Sequence, residues 1–144
     1  MEDIGRIPPH SVESEQSILG SILLDKDAII TVTETIQPED FYKEAHKIIY
    51  ECMLKLNSKN EPIDLITLTE ELKKQDSLEN IGGISYITSL STIVPTTTNV
   101  KYYADIVKEK SVLRKLIKVS NDILNSGYDN SVKVEEILEQ AEKK

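Results

Sequence analysis

The amino-acid sequence predicts an all-α protein in which a small globular helical head is followed by a long antiparallel helical hairpin. Apolar residues recur at the helical spacing i, i+3, i+4 and i+7 in the segments between turn residues. Residues 99–126 contain neither glycine nor proline, and a last amphipathic segment follows them. We therefore divide the 144 residues into a helical head with a short extended N-terminal arm, at 1–98, and a hairpin, at 99–144.

The first three helices of the head have recognisable starts. Pro9 favours an extended backbone, Ser11 can cap the first helix, and Glu13 and Glu15 suit the positive end of its dipole. Asp25 is the expected cap of a short second helix. The third helix follows Pro38, and its apolar stripe includes Cys52, which we expect to be a small core residue.

The remaining helices are separated by polar or glycine-rich breaks. A fourth helix should start at Asp64 or Thr67, and a short fifth helix should run from Ile84 to Leu90 after a glycine pair. The loop VPTTTN then leads to a long helix capped by Thr98 or Asn99 and ended by Gly127. Val134, Ile137, Leu138 and Ala141 predict a last helix that folds back on the long one.

The long helix has two apolar stripes, and a single returning helix covers only one of them. The first stripe comprises Tyr103, Ile106, Val107, Leu113, Ile117 and Leu124. The second lies about 110° away and comprises Val112, Leu116, Val119 and Ile123. Two coverings of the second stripe remain open: the hairpin of a second chain in an isologous dimer, or the head of the same chain.

Composition and charge favour a soluble cytoplasmic protein. Its apolar runs are too short to cross a membrane, no secretion signal is visible, and Cys52 is the single cysteine. Residues 1–98 carry 17 acidic and 8 basic side chains, a poor match for a phosphate backbone. The exception is the basic stretch 108–118, where Lys108, Lys110, Arg114, Lys115 and Lys118 outnumber Glu109. This stretch is either a solvated helix face or the DNA-binding face of a freestanding helical domain.

A search for catalytic motifs finds neither a GxxxxGK[ST] phosphate loop nor an HExxH zinc motif. We expect no cofactor, no metal and no catalytic residue in these 144 residues. His46 lies beside the core position Ala45, and a structural role is expected for it. A hydrolase built on Glu13, Glu15 and His46 is a distant alternative, because these residues show no metal or triad spacing.

Six segments, taken in order, resemble the N-terminal domain of bacterial replicative DNA helicases of the DnaB family. They are PPHSVESEQSILGSILLD, DFYKEAHKIIYECMLKL, PIDLITLTEEL, GGISYITSL, TTNVKYYADIVKEKSVLRKLI and the closing ILEQAEK. They cover the chain from about Ile7 to its end. Ser14 stands where the family usually has alanine, which changes little on a helix.

The resemblance implies a role in DNA replication, in the primosome. In the family, hairpins pair between subunits, three such dimers form a collar on a hexameric ring, and the collar binds the primase C-terminal helicase-binding domain. A linker helix and a RecA-like motor that uses ATP and Mg²⁺ follow. The chain ends at Lys144, where the linker is expected, so the resemblance implies a fragment without the motor and with weak or absent DNA binding.

The resemblance also assigns candidate residues. Tyr86 occupies the tyrosine position of the family's GGxxYL motif, on the surface associated with primase binding. Ile117 and Ile123 fall at positions linked to primase coupling or dimer packing, with hairpin core as the alternative, and Glu13 is a candidate modulator. The self-association candidates are Val112, Leu116, Val119 and Ile123.

Overall fold

The computed structural model of the chain describes residues 6–93, 99–129 and 133–143. All regular secondary structure in these ranges is helical, which confirms the predicted fold class. The helices are α1 (Val12–Leu24), α2 (Ala28–Thr33), α3 (Glu44–Ser58), α4 (Leu65–Lys74), α5 (Gly83–Ile93), α6 (Val100–Gly127) and α7 (Val134–Lys143). Two short 3₁₀ turns, Pro38–Asp40 and Glu79–Ile81, precede α3 and α5.

The helix starts follow local capping chemistry. Ser11 caps α1 as predicted, because its side chain accepts a hydrogen bond from the Ser14 amide at 3.2 Å. Asp64 caps α4 through the Thr67 amide at 2.9 Å, and the Thr67 hydroxyl accepts from the Asp64 amide in return. The predicted Asp25 cap is wrong: Asp25 ends α1, its carboxylate accepts from the Asp27 amide, and α2 begins at Ala28. The proposed Thr98 cap lies outside the described residues.

The chain divides into two compact units. The head unit is His10–Ser111, and the hairpin unit is Met1–Pro9 with Val112–Lys144. The sequence division at residues 98 and 99 differs from this one, because the beginning of α6 packs into the head. Val100, Ala104, Val107 and Ser111 are all buried there.

The core of the head is aliphatic and close-packed. In it α1 packs against α5 and α3, and α3 packs against α4. Ile18, Leu19, Ile49 and Leu68 are fully buried, and so is Cys52, as the apolar stripe predicted. The Cys52 thiol donates to the Gln75 side chain at 3.4 Å, and burial raises the pKa of this thiol to about 11.

Three buried carboxylates connect the helices of the head. Glu15 on α1 accepts the Tyr42 amide just before α3, and Asp40 accepts the hydroxyl of Ser111 on α6. Glu71 on α4 pairs with Lys55 on α3 at 3.0 Å. Hydrogen bonds from Lys55 and Gln75 hold the pKa of Glu71 below its ordinary value. These polar links fix specific pairs of elements within an otherwise aliphatic core.

Candidate docking surface

Tyr86 lies in the head unit, on α5, where it is half-buried and packs against the edge of the core. Its hydroxyl contacts the Nε2 atom of His46, on α3, and receives a hydrogen bond from the side-chain amide of Gln16, on α1, at 3.2 Å. Glu13 is exposed on α1, three residues before Gln16 and so close to the same helix face. One tyrosine therefore joins three helices at a place that is partly open to solvent.

The backbone at Gly82 lies close to the side chain of Tyr86. Gly82 has φ +110°, a left-handed conformation that other residues rarely adopt, and ends the 3₁₀ turn before α5. A Cβ atom at this position would lie 2.8 Å from the Tyr86 Cβ. Gly83 also has positive φ, +76°, but a Cβ there would meet nothing within 4 Å. Gly82 thus serves both the turn and the packing of the tyrosine.

Behind Tyr86, His46 and Glu15 form a buried pair, each with 1% of its side chain exposed. The Nδ1 atom of His46 lies 2.7 Å from Glu15 Oε1. The same carboxylate accepts the backbone amides of Tyr42, at 2.8 Å, and Lys43, at 3.3 Å. The rings of His46 and Tyr86 are stacked, with centroids 5.9 Å apart.

The contact between these residues is not evident from the sequence. The buried position of His46 agrees with the structural role expected for it, but no sequence pattern indicates its pairing with Glu15, 31 residues earlier. Local periodicity carries no signal for such a contact. The helix dipole alone accounts for an acidic residue at Glu15, but it does not explain why Glu15 is buried while Glu13, in the same turn, is exposed. The three residues of the hydrolase alternative do not form a common site, because Glu13 is exposed and lies apart from the buried pair of Glu15 and His46.

In the hairpin unit, the predicted self-association residues lie on the second half of α6. Val112 and Leu116 are 45% and 56% exposed, and Val119 and Ile123 are half-buried. Ile117 is 43% exposed and lines a groove beside the N-terminal arm, residues 6–9.

The arm is attached to α6 by a polar contact. Arg114 donates from Nη1 to the Pro9 carbonyl at 2.8 Å. Other apolar side chains of this unit, such as Val134 and Leu138 of α7, are also more than half exposed. The single chain therefore leaves apolar surface on both helices of the hairpin.

The basic stretch 108–118 is partly used within the chain. Lys108 lies 3.2 Å from the carboxylate of Asp40, Arg114 bonds to the arm, and Lys118 pairs with Asp122 at 3.1 Å. The Lys108 contact involves a fully buried carboxylate, so this lysine has a structural task. These contacts favour the reading of the stretch as an ordinary helix face over that of a DNA site.

Among the described residues, histidine, cysteine and acidic side chains form no group of three that could hold a metal ion. No helix in the same ranges is long and apolar enough to span a membrane.

The head unit is all-helical and carries a buried polar cluster behind the half-buried Tyr86, and the hairpin unit has exposed apolar side chains. Comparison gives the family. Residues 7–109 match the family model described as DnaB-like helicase N terminal domain, and the chain belongs to this family.

Individual relatives agree with this assignment. The chain is 46% identical over 139 residues to the replicative DNA helicase DnaB of Geobacillus stearothermophilus, covering 96% of this chain and 31% of that protein. The crystal structure of the DnaB N-terminal domain from Mycobacterium tuberculosis superposes with a TM-score of 0.89 at 38% identity, over 96% of this chain and all of that one. The chain thus spans about a third of the length of the curated relatives it matches.

A further solved structure is described as that of a DnaB-like replicative helicase and its interactions with primase. It matches with a TM-score of 0.76 and 28% identity, covering 92% of this chain and 31% of that chain.

Proposed function

We propose that this domain is a scaffold and docking module of a hexameric replicative DNA helicase, in which it joins subunits and binds primase. ATP-driven unwinding is the task of the motor domain of such a helicase, where ATP and Mg²⁺ act. The observation that supports the proposal most directly is the family match over residues 7–109, combined with apolar surface left exposed on α6. The domain itself then contributes binding energy rather than catalysis.

Self-association is proposed through α6. Val112 and Leu116 are exposed one turn apart on the same helix face, with Val119 and Ile123 continuing it. A second copy of the hairpin covers such a face most simply, because an isologous contact buries the same residues in both chains. Three dimers of this kind would form the collar of a hexamer.

Light scattering across a concentration series tests this step. The expected mass rises from 16.3 kDa for one chain toward twice that value or more. A mass that stays at 16.3 kDa at the highest concentration reached would contradict self-association of the domain.

Primase docking is proposed at the surface around Tyr86. An aromatic side chain at the edge of a rigid core is a good anchor for a partner, since ordering it on binding costs little entropy. Glu13, exposed on the adjacent helix, would modulate the contact electrostatically. In the hairpin unit, Ile117 and Ile123 would take part in primase coupling or dimer packing, or else pack the hairpin.

The decisive experiment is a titration of the primase C-terminal helicase-binding domain against wild type and Tyr86→Ala. We expect the variant to bind about tenfold more weakly or worse, as is typical of an aromatic anchor. Tyr102→Ala is the matched control, because Tyr102 is 74% exposed on α6 and the same atoms are removed. Equal affinities of wild type and Tyr86→Ala would remove Tyr86 from the site.

Primase binding would regulate the helicase by favouring one arrangement of the collar, and so bias the motors attached to it.

A measurement of DNA binding distinguishes this proposal from the alternative of a DNA-binding domain. Tight binding of the domain to single- or double-stranded DNA, with a steep loss of affinity as salt rises, would favour a DNA-binding domain using residues 108–118 instead.

A further inference from the structure

We propose that Glu15 and His46 are positioning residues for the docking surface, and that they act by fixing the direction of the hydrogen bonds that end on Tyr86. In this arrangement the Tyr86 hydroxyl donates inward to His46, and a partner meets the aromatic ring rather than the hydroxyl. The inference rests on the proposed docking role of Tyr86, but its first test is independent of any partner.

The direction is set at the Glu15 end of the chain of hydrogen bonds. Oε2 of Glu15 accepts the Tyr42 amide, and Oε1 accepts the Lys43 amide. Backbone amides can only donate, so both oxygens act as acceptors. The third neighbour, His46 Nδ1 at 2.7 Å from Oε1, then completes the set by carrying a proton and donating it to the carboxylate.

The proton on Nδ1 decides what the other nitrogen of His46 does. In a neutral imidazole, one ring nitrogen donates and the other accepts, so Nε2 presents a lone pair. The group facing Nε2 is the Tyr86 hydroxyl, which must donate to it.

Gln16 completes the arrangement on the Tyr86 oxygen. Its side-chain amide donates to that oxygen at 3.2 Å. The hydroxyl proton is thus committed to His46, and one acceptor position is filled by Gln16. What Tyr86 can still offer at the surface is mainly the exposed part of its ring. The relay also ties α5, which carries Tyr86, to α1 and α3, so a change at Glu15 should move the ring without touching the surface.

Nuclear magnetic resonance of the histidine rings tests the proton order. The chain has two histidines, so a His10→Gln variant assigns the signals of His46 in the 15N-labelled protein. At neutral pH we expect long-range 1H–15N correlations to show Nδ1 protonated and Nε2 unprotonated. A ring with its proton on Nε2, or with protons on both nitrogens, would overturn the proposal.

Binding of the primase helicase-binding domain tests the consequence for docking. Tyr86→Phe keeps the ring and removes the hydroxyl, so we expect its affinity to stay within about threefold of wild type, against a loss of about tenfold or more for Tyr86→Ala. A Phe variant as weak as the Ala variant would show that the hydroxyl is recognised and would overturn the inference.

Two further variants separate positioning from mere stability. His46→Gln retains one donor and one acceptor and should rescue binding to within about threefold of wild type, whereas His46→Ala should bind several-fold more weakly. Circular dichroism checks that both remain helical, and failure of His46→Gln to bind better than His46→Ala would count against a relay. Unchanged binding by Tyr86→Ala would instead refute the docking role, while the ring nitrogens would still report the proton order.

Discussion

Leu116 provides the sharpest test of the proposed assembly, because its side chain is apolar, exposed and on the face assigned to a second copy of the chain. It is 56% exposed in the single chain, and its neighbour one turn earlier, Val112, is 45% exposed. Replacing Leu116 by alanine removes apolar surface from this face while keeping a strong helix former. We expect Leu116→Ala to weaken self-association and to leave helicity unchanged.

The size of the effect follows from the exposed fraction. Leucine to alanine removes three carbon groups, each contributing about 0.8 kcal/mol when fully buried. If association buries the 56% that is still exposed, the loss is about 1.3 kcal/mol for each chain. Both chains of an isologous dimer bury this residue, so the total loss of association free energy is about 2.7 kcal/mol. A loss of this size weakens the dimer by roughly 80-fold.

Sedimentation equilibrium or concentration-dependent light scattering measures the dissociation constant directly. The matched control is Lys118→Ala, which also truncates an exposed side chain of α6 but about 160° away around the helix axis. Lys118 makes an ion pair with Asp122 at 3.1 Å, with its side chain 76% exposed, and such pairs contribute only a few tenths of a kcal/mol. The control should therefore associate within about threefold of wild type.

Two outcomes would refute this reasoning. If Leu116→Ala and wild type share the same dissociation constant, the exposed face of α6 is not the contact between copies. If Lys118→Ala weakens association as strongly as Leu116→Ala, the contact does not distinguish the two sides of the helix. In either case the apolar stripe would need another partner.

Three further expectations concern stability and reactivity. Burial alone would raise the pKa of Asp40, but hydrogen bonds from the Gln37 amide, Ser111 and Lys108 outweigh it and hold the pKa below the ordinary 3.8. The stabilisation is therefore present above pH 3.8 and is lost as pH falls through the lower folded-state pKa. In acid denaturation curves, the difference in unfolding free energy between wild type and Asp40→Asn should shrink in that range. A difference that does not change with pH would contradict this expectation. Gly82→Ala should destabilise the fold by about 1–3 kcal/mol in urea unfolding, and by more than Gly83→Ala, because only the first adds a clash with Tyr86 to the backbone strain; equal losses would argue against that clash. The Cys52 thiol, buried and with a pKa raised to about 11, should react with a thiol reagent at neutral pH only as fast as the head opens, and rapid labelling of the native protein would refute this.

Much of the fold was predictable because helices are specified locally. Apolar spacing together with turn residues located the seven helices of the described residues, and the side chains of Ser11 and Asp64 marked two helix starts. Asp25 misled the prediction because the same residue type suits a turn as well as a cap: here it stabilises the turn that ends α1. Local chemistry identifies the residues that can cap, while the path of the chain decides which of them do.

The candidate site was less predictable because its contacts join distant segments. Glu15 and His46 are 31 residues apart, and His46 and Tyr86 are 40 apart, so no periodic pattern links them. Tyr86 itself was assigned through a family motif. The division of α6 between the head unit and the hairpin unit was hidden for a similar reason, since a continuous helix shows no break where its buried part ends at Ser111.

The register of α6 on the head is fixed by polar contacts rather than by its apolar residues alone. Asp40 receives hydrogen bonds from Lys108 and Ser111, one turn apart. Sliding α6 by four residues in one direction would put Lys108 at the buried position of Ala104. Sliding it the other way would bring Ala104 and Val107 to Asp40, which would lose both donors. Either shift buries an unpaired charge, at a cost of several kcal/mol. The same two hydrogen bonds therefore hold the buried residues of α6, from Val100 to Ser111, in place on the head.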